Sequence, residues 1–318
     1  MSKTKIGLGL AAIGRPEYIN IRTDHAIDKS EAAFKKNAHL LLDEAYKLGV
    51  RYFDTAPSYG NGEAYLGQWN SDRNYDDVVL GTKWGYTYVA NWELGFNGKH
   101  EVKEHSLEKL LEQWEVSKHR FPKLTYYQVH SATFESGILE NEAILNQLYQ
   151  IKNQTGLKIG ISTSGPNQNE VIAAALNVQV NSDPVFDSFQ VTYNVFEQSA
   201  FSVLKDALAQ GKTIIIKEAL ANGRVFRNKT FEHYQSVYNI LERLSKKYKV
   251  GADAIALRFV MDNLQPSYVL SGASDVAQLS ENLKALLFNF TADELQELKN
   301  LKVNPEAYWG ERADLNWN

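Results

Sequence analysis

The sequence predicts an α/β fold in which eight parallel strands alternate with helices and close into a (β/α)8 TIM barrel. Short apolar runs alternate with amphipathic helical segments eight times, which is typical of a parallel sheet built from strand–helix units. Several of the runs are apolar throughout, as expected of strands buried on both faces. No linker or low-complexity tract divides the 318 residues, so we predict one domain over residues 1–318.

The predicted strands are short runs bounded by Gly, Pro or polar residues. The first run ends before Gly14 and Pro16, and the seventh contains three consecutive isoleucines before Lys217. Such residues favour turns and therefore mark where a strand stops. In chain order, the strands are predicted at 6–12, 51–54, 77–83, 124–130, 158–162, 186–191, 213–217 and 268–272.

The first run admits two interpretations. Lys3 and Lys5 precede an apolar stretch, as in a short secretory signal. The same stretch also fits a parallel strand that is buried on both faces. We favour the strand because no small-residue cleavage site precedes a polar segment.

The predicted helices follow the strands. The first begins at Ser30, a typical N-cap, and ends at Gly49. Residues 17–29, which precede it, are predicted to be a loop. Residues 84–100 form a long loop rich in aromatic side chains, which serves either as a packed cap over the barrel or as a wall of the substrate site. The remaining helices are predicted at 63–69, 102–118, 139–154, 169–176, 199–209, 231–248, 252–261, 275–287 and 292–301.

Composition limits the classes of function. The net charge is −4, from 34 Lys and Arg against 38 Asp and Glu, which gives no electrostatic reason to expect a nucleic-acid or membrane partner. The chain has no cysteine, so disulfides, thiolate zinc sites and a cysteine nucleophile are excluded, and a cytoplasmic location is expected. No apolar run is long enough to span a membrane. Composition does not predict an oligomeric state.

Four reactive side chains lie at or just after consecutive predicted strand ends. Asp54 ends the second strand, Tyr59 follows in a turn, Lys83 ends the third strand and His130 ends the fourth. Because the carboxyl ends of barrel strands converge on one face, we expect these four groups to meet in one pocket. Taken singly, Asp54 is also a common turn-capping acid and Tyr59 a common half-buried aromatic residue.

The combination suits acid–base catalysis at one oxygen atom. A free tyrosine has a pKa of about 10, and a nearby Lys83 ammonium is expected to lower it. Asp54 is expected to pair with Lys83, and His130 to donate a hydrogen bond to the substrate oxygen or the phenol. With no nucleophile and no metal set, this arrangement fits protonation of a carbonyl oxygen while hydride reaches its carbon. A metal-dependent barrel hydrolase that uses Asp54 is the weaker alternative, since the sequence shows no clustered His and Asp ligands.

Several segments resemble the aldo-keto reductase family. That resemblance implies a (β/α)8 barrel that moves hydride between a nicotinamide cofactor, usually NADP, and a small-molecule aldehyde, ketone, aldose or alcohol. It also implies that Asp54, Tyr59, Lys83 and His130 form a catalytic tetrad in which Tyr59 is the general acid/base. Some relatives are cofactor-binding regulatory subunits with little turnover, which is the alternative function. The matching segments are residues 53–60, 81–83, 127–130, 160–163, 190–194, 219–223 and 272–282.

The resemblance also implies a set of nicotinamide contacts. Ser162 and Gln190 match the positions that hold the carboxamide. Thr163 stands where many members have Asn, and Lys217 stands where an aromatic ring often stacks on the nicotinamide. A lysine there changes the packing of the ring or contacts the pyrophosphate.

The adenosine-phosphate segment departs from the family pattern. Many members carry Lys and Arg where this chain has Gly272 and Gln278, and Asp275 adds negative charge. NADP is therefore expected, with NAD possible, and Arg224, Arg227 or Lys229 could supply the missing charge. The contacts implied are Gly272, Ser274, Gln278, Glu281 and Asn282.

Overall fold

Eight parallel strands close into a barrel in which each strand is hydrogen-bonded to its neighbours in chain order. The last strand pairs with the first in parallel and completes the barrel. The structure is a computed structural model that describes residues 4–21 and 28–317. The (β/α)8 barrel is confirmed. Its strands are β1 (Lys5–Gly9), β2 (Tyr52–Asp54), β3 (Val79–Trp84), β4 (Tyr126–Ala132), β5 (Lys158–Thr163), β6 (Ser188–Thr192), β7 (Thr213–Lys217) and β8 (Tyr268–Ser271).

Helices cover the outside of the barrel and bury their apolar faces against the strands. Ser30 caps the first helix by accepting a hydrogen bond from the Ala33 amide, as the sequence predicts. Of the predicted loop at 17–29, residues 22–27 lie outside the described part of the chain. The helices are α1 (Glu31–Lys47), α2 (Gly62–Arg73), α3 (Leu107–Arg120), α4 (Glu142–Thr155), α5 (Gln168–Ala175), α6 (Phe201–Ala209), α7 (Gln235–Tyr248), α8 (Ala252–Asn263), α9 (Val276–Leu283), α10 (Ala292–Lys299) and α11 (Pro305–Ala313).

The first run is a barrel strand, as the favoured interpretation predicts. Residues 6 to 8 are paired with β8 on one side, and Leu8 also pairs with Phe53 of β2. Ile6 and Leu8 are buried. Among the helices in residues 4–21 and 28–317, none combines the length and apolar composition that a membrane crossing requires.

The aromatic loop contains a hairpin that the sequence analysis does not predict. Tyr86–Tyr88 pairs antiparallel with Glu101–Lys103. The prediction of a helix from residue 102 is therefore wrong over its first turn, and α3 begins at Leu107 after the N-cap Ser106. Helix α11 was also not predicted. The predicted helix at 275–287 ends earlier, since a 3-10 turn replaces it from Lys284 to Leu287.

A tyrosine fills the lower barrel interior, and two glycines make room for it. Tyr52 is fully buried, and a Cβ added at Gly7 or Gly81 would lie 2.7 or 2.6 Å from its side chain. Glycine in a strand interior lowers the stability of the strand. At Gly7 and Gly81 it is nevertheless required, because a larger residue would leave no space for the Tyr52 ring.

Gly81→Ala should lower the free energy of unfolding by about 1–3 kcal/mol, because the new methyl group overpacks the Tyr52 ring. The matched control is Gly9→Ala, at a strand glycine where a Cβ would meet its nearest atom at 3.7 Å. Urea unfolding midpoints of the two variants check this. Equal midpoints would show that Gly81 is not required for the Tyr52 ring.

Candidate functional site

A buried ion pair lies at the carboxyl ends of β2 and β3. Lys83 Nζ donates to Asp54 Oδ2 at 2.5 Å and to the Thr55 carbonyl at 3.0 Å. The two side chains are 0% and 2% exposed. An uncompensated charge at this depth is very costly, so each partner requires the other. The structure thus brings Asp54 and Lys83 together as the sequence predicts.

The second carboxylate oxygen of Asp54 is also occupied. Asp54 Oδ1 accepts from Tyr52 OH at 3.0 Å and from Gln190 Nε2 at 2.8 Å. These donors fix the orientation of the carboxylate beneath the pocket. The resemblance assigns Gln190 to the carboxamide of the nicotinamide, whereas here its side chain is hydrogen-bonded to Asp54. Tyr52 is a residue of the site that the sequence analysis did not identify. Its position two residues before Asp54, on the same strand face, is the signal that would have found it.

A tight turn after β2 presents Tyr59 to the mouth of the barrel. The Tyr59 amide donates to the Ala56 carbonyl at 3.0 Å. Gly60 has a φ of +59°, and a Cβ at Gly14 would lie 2.2 Å from the Tyr59 carbonyl oxygen, so two glycines allow this turn and the end of β1 to pack together. The Tyr59 ring centroid lies 5.0 Å from Lys83 Nζ and 5.6 Å from the His130 ring centroid. All four predicted strand-end groups therefore lie together at the carboxyl ends of the barrel strands.

The pKa of Tyr59 differs from the sequence-based expectation. Burial raises the pKa of Tyr59 well above its ordinary value, and the carboxylates of Asp54 and Glu101 raise it further, while the Arg15 guanidinium opposes them. The expected lowering of the Tyr59 pKa is wrong, because burial and the Asp54 and Glu101 carboxylates outweigh any effect of the Lys83 ammonium. Tyr59 is consequently a protonated phenol at neutral pH and can serve as a proton donor.

His130 is neutral in this pocket. Burial lowers its pKa well below its usual range, and the nearby Lys83 and Lys217 ammonium groups add to that effect. Its Nδ1 lies 3.5 Å from Ser58 Oγ. A neutral imidazole can donate one hydrogen bond to an oxygen atom while carrying no charge.

Arg15 is a site residue that the sequence analysis missed. Its guanidinium is buried, donates to the Ser58 carbonyl at 2.9 Å and pairs with Glu101 Oε1 at 2.5 Å. It lies 5.3 Å from the Tyr59 ring centroid and 4.8 Å from that of Trp317. Arg15 follows the end of β1, which opens onto the same face as the other strand ends, and this position is the signal that would have found it.

The predicted nicotinamide contacts lie on the adjoining strands. Ser162 Oγ accepts from the Ser131 amide at 2.8 Å. Thr163 Oγ1 is buried with no hydrogen-bond partner among the described residues, and Lys217 Nζ donates to Thr192 Oγ1 at 2.9 Å. Because buried polar groups are normally hydrogen-bonded, the free hydroxyl of Thr163 and the polar groups of Ser162 and Lys217 are suited to hydrogen bonds with a nicotinamide carboxamide.

The predicted adenosine-phosphate segment forms the start of α9. A Cβ at Gly272 would meet nothing within 4 Å, so the backbone there is open to a ligand. Asp275 caps α9 by accepting from the Gln278 amide, and Gln278 Oε1 accepts from the Ser274 amide and hydroxyl. The carboxylate already occupies the end of the helix that attracts anions. Asn282 is buried and donates to Ser271 Oγ, and Glu281 pairs with Lys284.

The structure does not bring Arg224 or Arg227 to this segment. Arg224 is buried and pairs with Glu311 at 3.0 Å, and Arg227 pairs with Glu242 at 2.6 Å. Both guanidinium groups are therefore engaged elsewhere. Lys229 begins the 3-10 segment Lys229–Tyr234, which precedes α7.

At the barrel mouth, Tyr59 can donate a proton to an oxygen atom, and the neutral His130 beside it can donate a hydrogen bond to the same atom. In the described part of the chain, no three His, Cys, Asp or Glu side chains come together as a metal would require.

Comparison with known proteins identifies the family. The family model described as the aldo/keto reductase family matches residues 5–303. The uncharacterized oxidoreductase YqkF of Bacillus subtilis is 23% identical over 84% of this chain and 88% of its own length. The aryl-alcohol dehydrogenase GME11368 of Pestalotiopsis microspora is 23% identical over 83% of this chain and 72% of its own.

A solved structure has a similar fold. The glycerol dehydrogenase AKR11B4 of Gluconobacter oxydans superposes with a TM-score of 0.70 at 20% identity, covering 93% of this chain and 90% of that chain. The chain belongs to the aldo/keto reductase family. It is an oxidoreductase of small-molecule carbonyl compounds that uses a nicotinamide cofactor.

Proposed function

We propose that this aldo/keto reductase reduces aldehydes and ketones with NAD(P)H, within one domain spanning residues 1–318, and that Tyr59 donates the proton. The observation that carries the proposal is the placement of a protonated Tyr59 within 5.0 Å of Lys83 Nζ, measured to its ring centroid, and beside a neutral His130. A phenol is the group that can give up a proton to the forming alkoxide.

Each member of the tetrad has a distinct part in this mechanism. His130 donates a hydrogen bond to the carbonyl oxygen and orients it toward Tyr59, which then protonates that oxygen. The Asp54–Lys83 pair fixes the position of the Lys83 ammonium 5.0 Å from the Tyr59 ring centroid. The Arg15 guanidinium, which opposes the rise in the Tyr59 pKa, stabilises the phenolate formed on proton transfer. The bound nicotinamide supplies the hydride.

Aromatic aldehydes are the substrate class that we propose first. Two aromatic side chains lie beside the site. The Tyr86 ring centroid lies 4.9 Å from that of His130, and the Trp317 ring centroid lies 4.8 Å from the Arg15 guanidinium. The name of the Pestalotiopsis relative refers to aryl alcohols, and this supports the same class. Aldoses and small polyols remain the second class to be assayed, because the Gluconobacter relative is a glycerol dehydrogenase.

The test is turnover of a panel of aromatic aldehydes, aliphatic aldehydes, aldoses and the matching alcohols, followed at the nicotinamide absorbance with both cofactors. We expect aromatic aldehydes with NADPH to give the highest kcat/KM. Tight cofactor binding with no turnover of any compound would instead favour the alternative, a regulatory subunit that binds cofactor.

We infer a modest preference for NADPH over NADH. Ser162, Thr163, Gln190 and Lys217 would hold the nicotinamide half. The segment containing Gly272, Ser274, Gln278, Glu281 and Asn282 would hold the adenosine half. Because Asp275 caps α9 and because Arg224 and Arg227 pair with carboxylates elsewhere, a 2′-phosphate gains few cationic partners.

Gln278→Arg should therefore tighten NADPH binding by about ten- to a hundredfold, the effect of a charge-assisted hydrogen bond of about 1.5–3 kcal/mol. NADH binding should not change. Dissociation constants from fluorescence quenching at low and high salt measure this, with Gln278→Met as the uncharged control. An equal effect on both cofactors would place the 2′-phosphate away from Gln278.

A further inference from the structure

Lys217 places a second ammonium group at the mouth of the barrel. It is the last residue of β7, and Ile215, two positions before it, belongs to the cluster of side chains that fills the barrel interior. Side chains two apart on a strand share a face, so Lys217 also points inward. Its Nζ donates to Thr192 Oγ1 of the neighbouring strand at 2.9 Å, and lies 5.9 Å from the Trp309 ring centroid.

The carboxylate nearest in sequence is committed to another cation. Glu218 accepts two hydrogen bonds from Arg312 Nε, at 2.9 and 3.0 Å, and one from Nη2 at 2.5 Å. Its side chain is 7% exposed. Within residues 4–21 and 28–317, Lys217 has a hydroxyl as its hydrogen-bond partner and no ion pair. Glu218 therefore offsets its charge only in part.

We propose that the Lys217 ammonium makes this site bind the reduced nicotinamide more tightly than the oxidised one. The inference rests on the proposed function, since it requires a nicotinamide at the barrel mouth. The oxidised ring carries one positive charge and the reduced ring carries none. A fixed cation in a buried site repels the first and not the second.

The surroundings of Lys217 support this inference. The pKa of Lys217 is lowered to about 8, chiefly by burial and also by Arg312 and Lys83, while Glu218 and Asp54 oppose the lowering. The Lys217 charge also lowers the pKa of His130, so its field reaches the group beside Tyr59. A site in which one more cation is already unfavourable favours the neutral, reduced ring.

The pH dependence follows from which groups titrate. Because the pKa of Lys217 is lowered to about 8, the ammonium and the discrimination are present below that pH and are lost above it. Among the charged groups that face Lys217, Arg312 stays charged because its pKa is raised. His130 stays neutral because its pKa is lowered, and Tyr59 stays protonated because its pKa is raised.

The experiment measures the dissociation constants of NADPH and NADP+, by fluorescence and by displacement, from pH 6.5 to about 9.5. For the wild type we expect the ratio of the oxidised to the reduced constant to fall about tenfold across this range. In Lys217→Met the ratio should be equally low at every pH. Lys217→Arg keeps the charge, so its ratio should stay high at every pH.

Each outcome has one meaning. An unchanged ratio in Lys217→Met, with both cofactor forms bound, would overturn the inference and leave the proposed function intact. Failure of the wild type to bind either form would overturn the proposed function itself. If Lys217→Met does not fold, the inference is tested by plotting the ratio of dissociation constants against pH for the wild type and Lys217→Arg. Parallel curves for these two proteins would contradict the inference.

Discussion

Replacing Tyr59 by phenylalanine should reduce kcat by about two to four orders of magnitude, the usual cost of a lost general acid. The ring and its packing against Arg15 and Lys83 remain, so the dissociation constant of NADPH should stay within about twofold of the wild-type value. Steady-state kinetics and fluorescence titration measure the two quantities on the same preparation.

The matched control is Tyr127→Phe. Tyr127 is also a fully buried tyrosine, but its hydroxyl has no hydrogen-bond partner in the described part of the chain, and its ring packs on Trp114 on the helix side of β4. Its removal should leave kcat nearly unchanged. A Tyr59→Phe enzyme that keeps most of its rate would contradict the assignment of Tyr59 as the proton donor.

Lys83→Met should lower the free energy of unfolding by about 3–5 kcal/mol, because it leaves the Asp54 carboxylate buried and unpaired. The double variant Asp54→Asn with Lys83→Met should recover part of that loss, since no uncompensated charge remains. Activity should be lost in both variants, and any residual rate of Lys83→Met should have an alkaline limb at a different pH. Urea unfolding at pH 7 gives the stabilities.

Lys47→Met is the control for the loss of a lysine ammonium from an ion pair at the surface. Lys47 pairs with Glu44 on the surface, and its side chain is 65% exposed, so its loss should change stability by less than about 1 kcal/mol. A Lys83→Met variant as stable as Lys47→Met would show that the Asp54–Lys83 pair is not required for folding.

Local pattern was sufficient to predict the barrel and the meeting of the four strand ends. In a barrel the strands follow chain order and side chains alternate in and out, so residues at the ends of consecutive strands must converge. Asp54, Lys83 and His130 occupy such positions, and the turn containing Tyr59 is marked by Pro57 and Gly60. No long-range information was needed to place them.

What the sequence did not predict depends on pairing between distant residues. The hairpin formed by Tyr86–Tyr88 and Glu101–Lys103 joins two segments of a loop with no regular alternation. The Arg15–Glu101 pair spans 86 positions. The direction of the Tyr59 pKa shift depends on burial and on the Asp54–Lys83 pair together, and neither can be read from spacing alone.

The most direct test of the account follows the hydride itself. The enzyme is supplied with NADPH carrying deuterium on the transferred position at C4 and with an aromatic aldehyde, and the alcohol is analysed by mass spectrometry. We predict one deuterium on the carbinol carbon of every product molecule, with the hydroxyl proton drawn from solvent through Tyr59. The Tyr59→Phe enzyme should yield almost no labelled alcohol in the same time. Consumption of the aldehyde without deuterium in the product would contradict the claim that this pocket reduces carbonyl groups with a nicotinamide hydride.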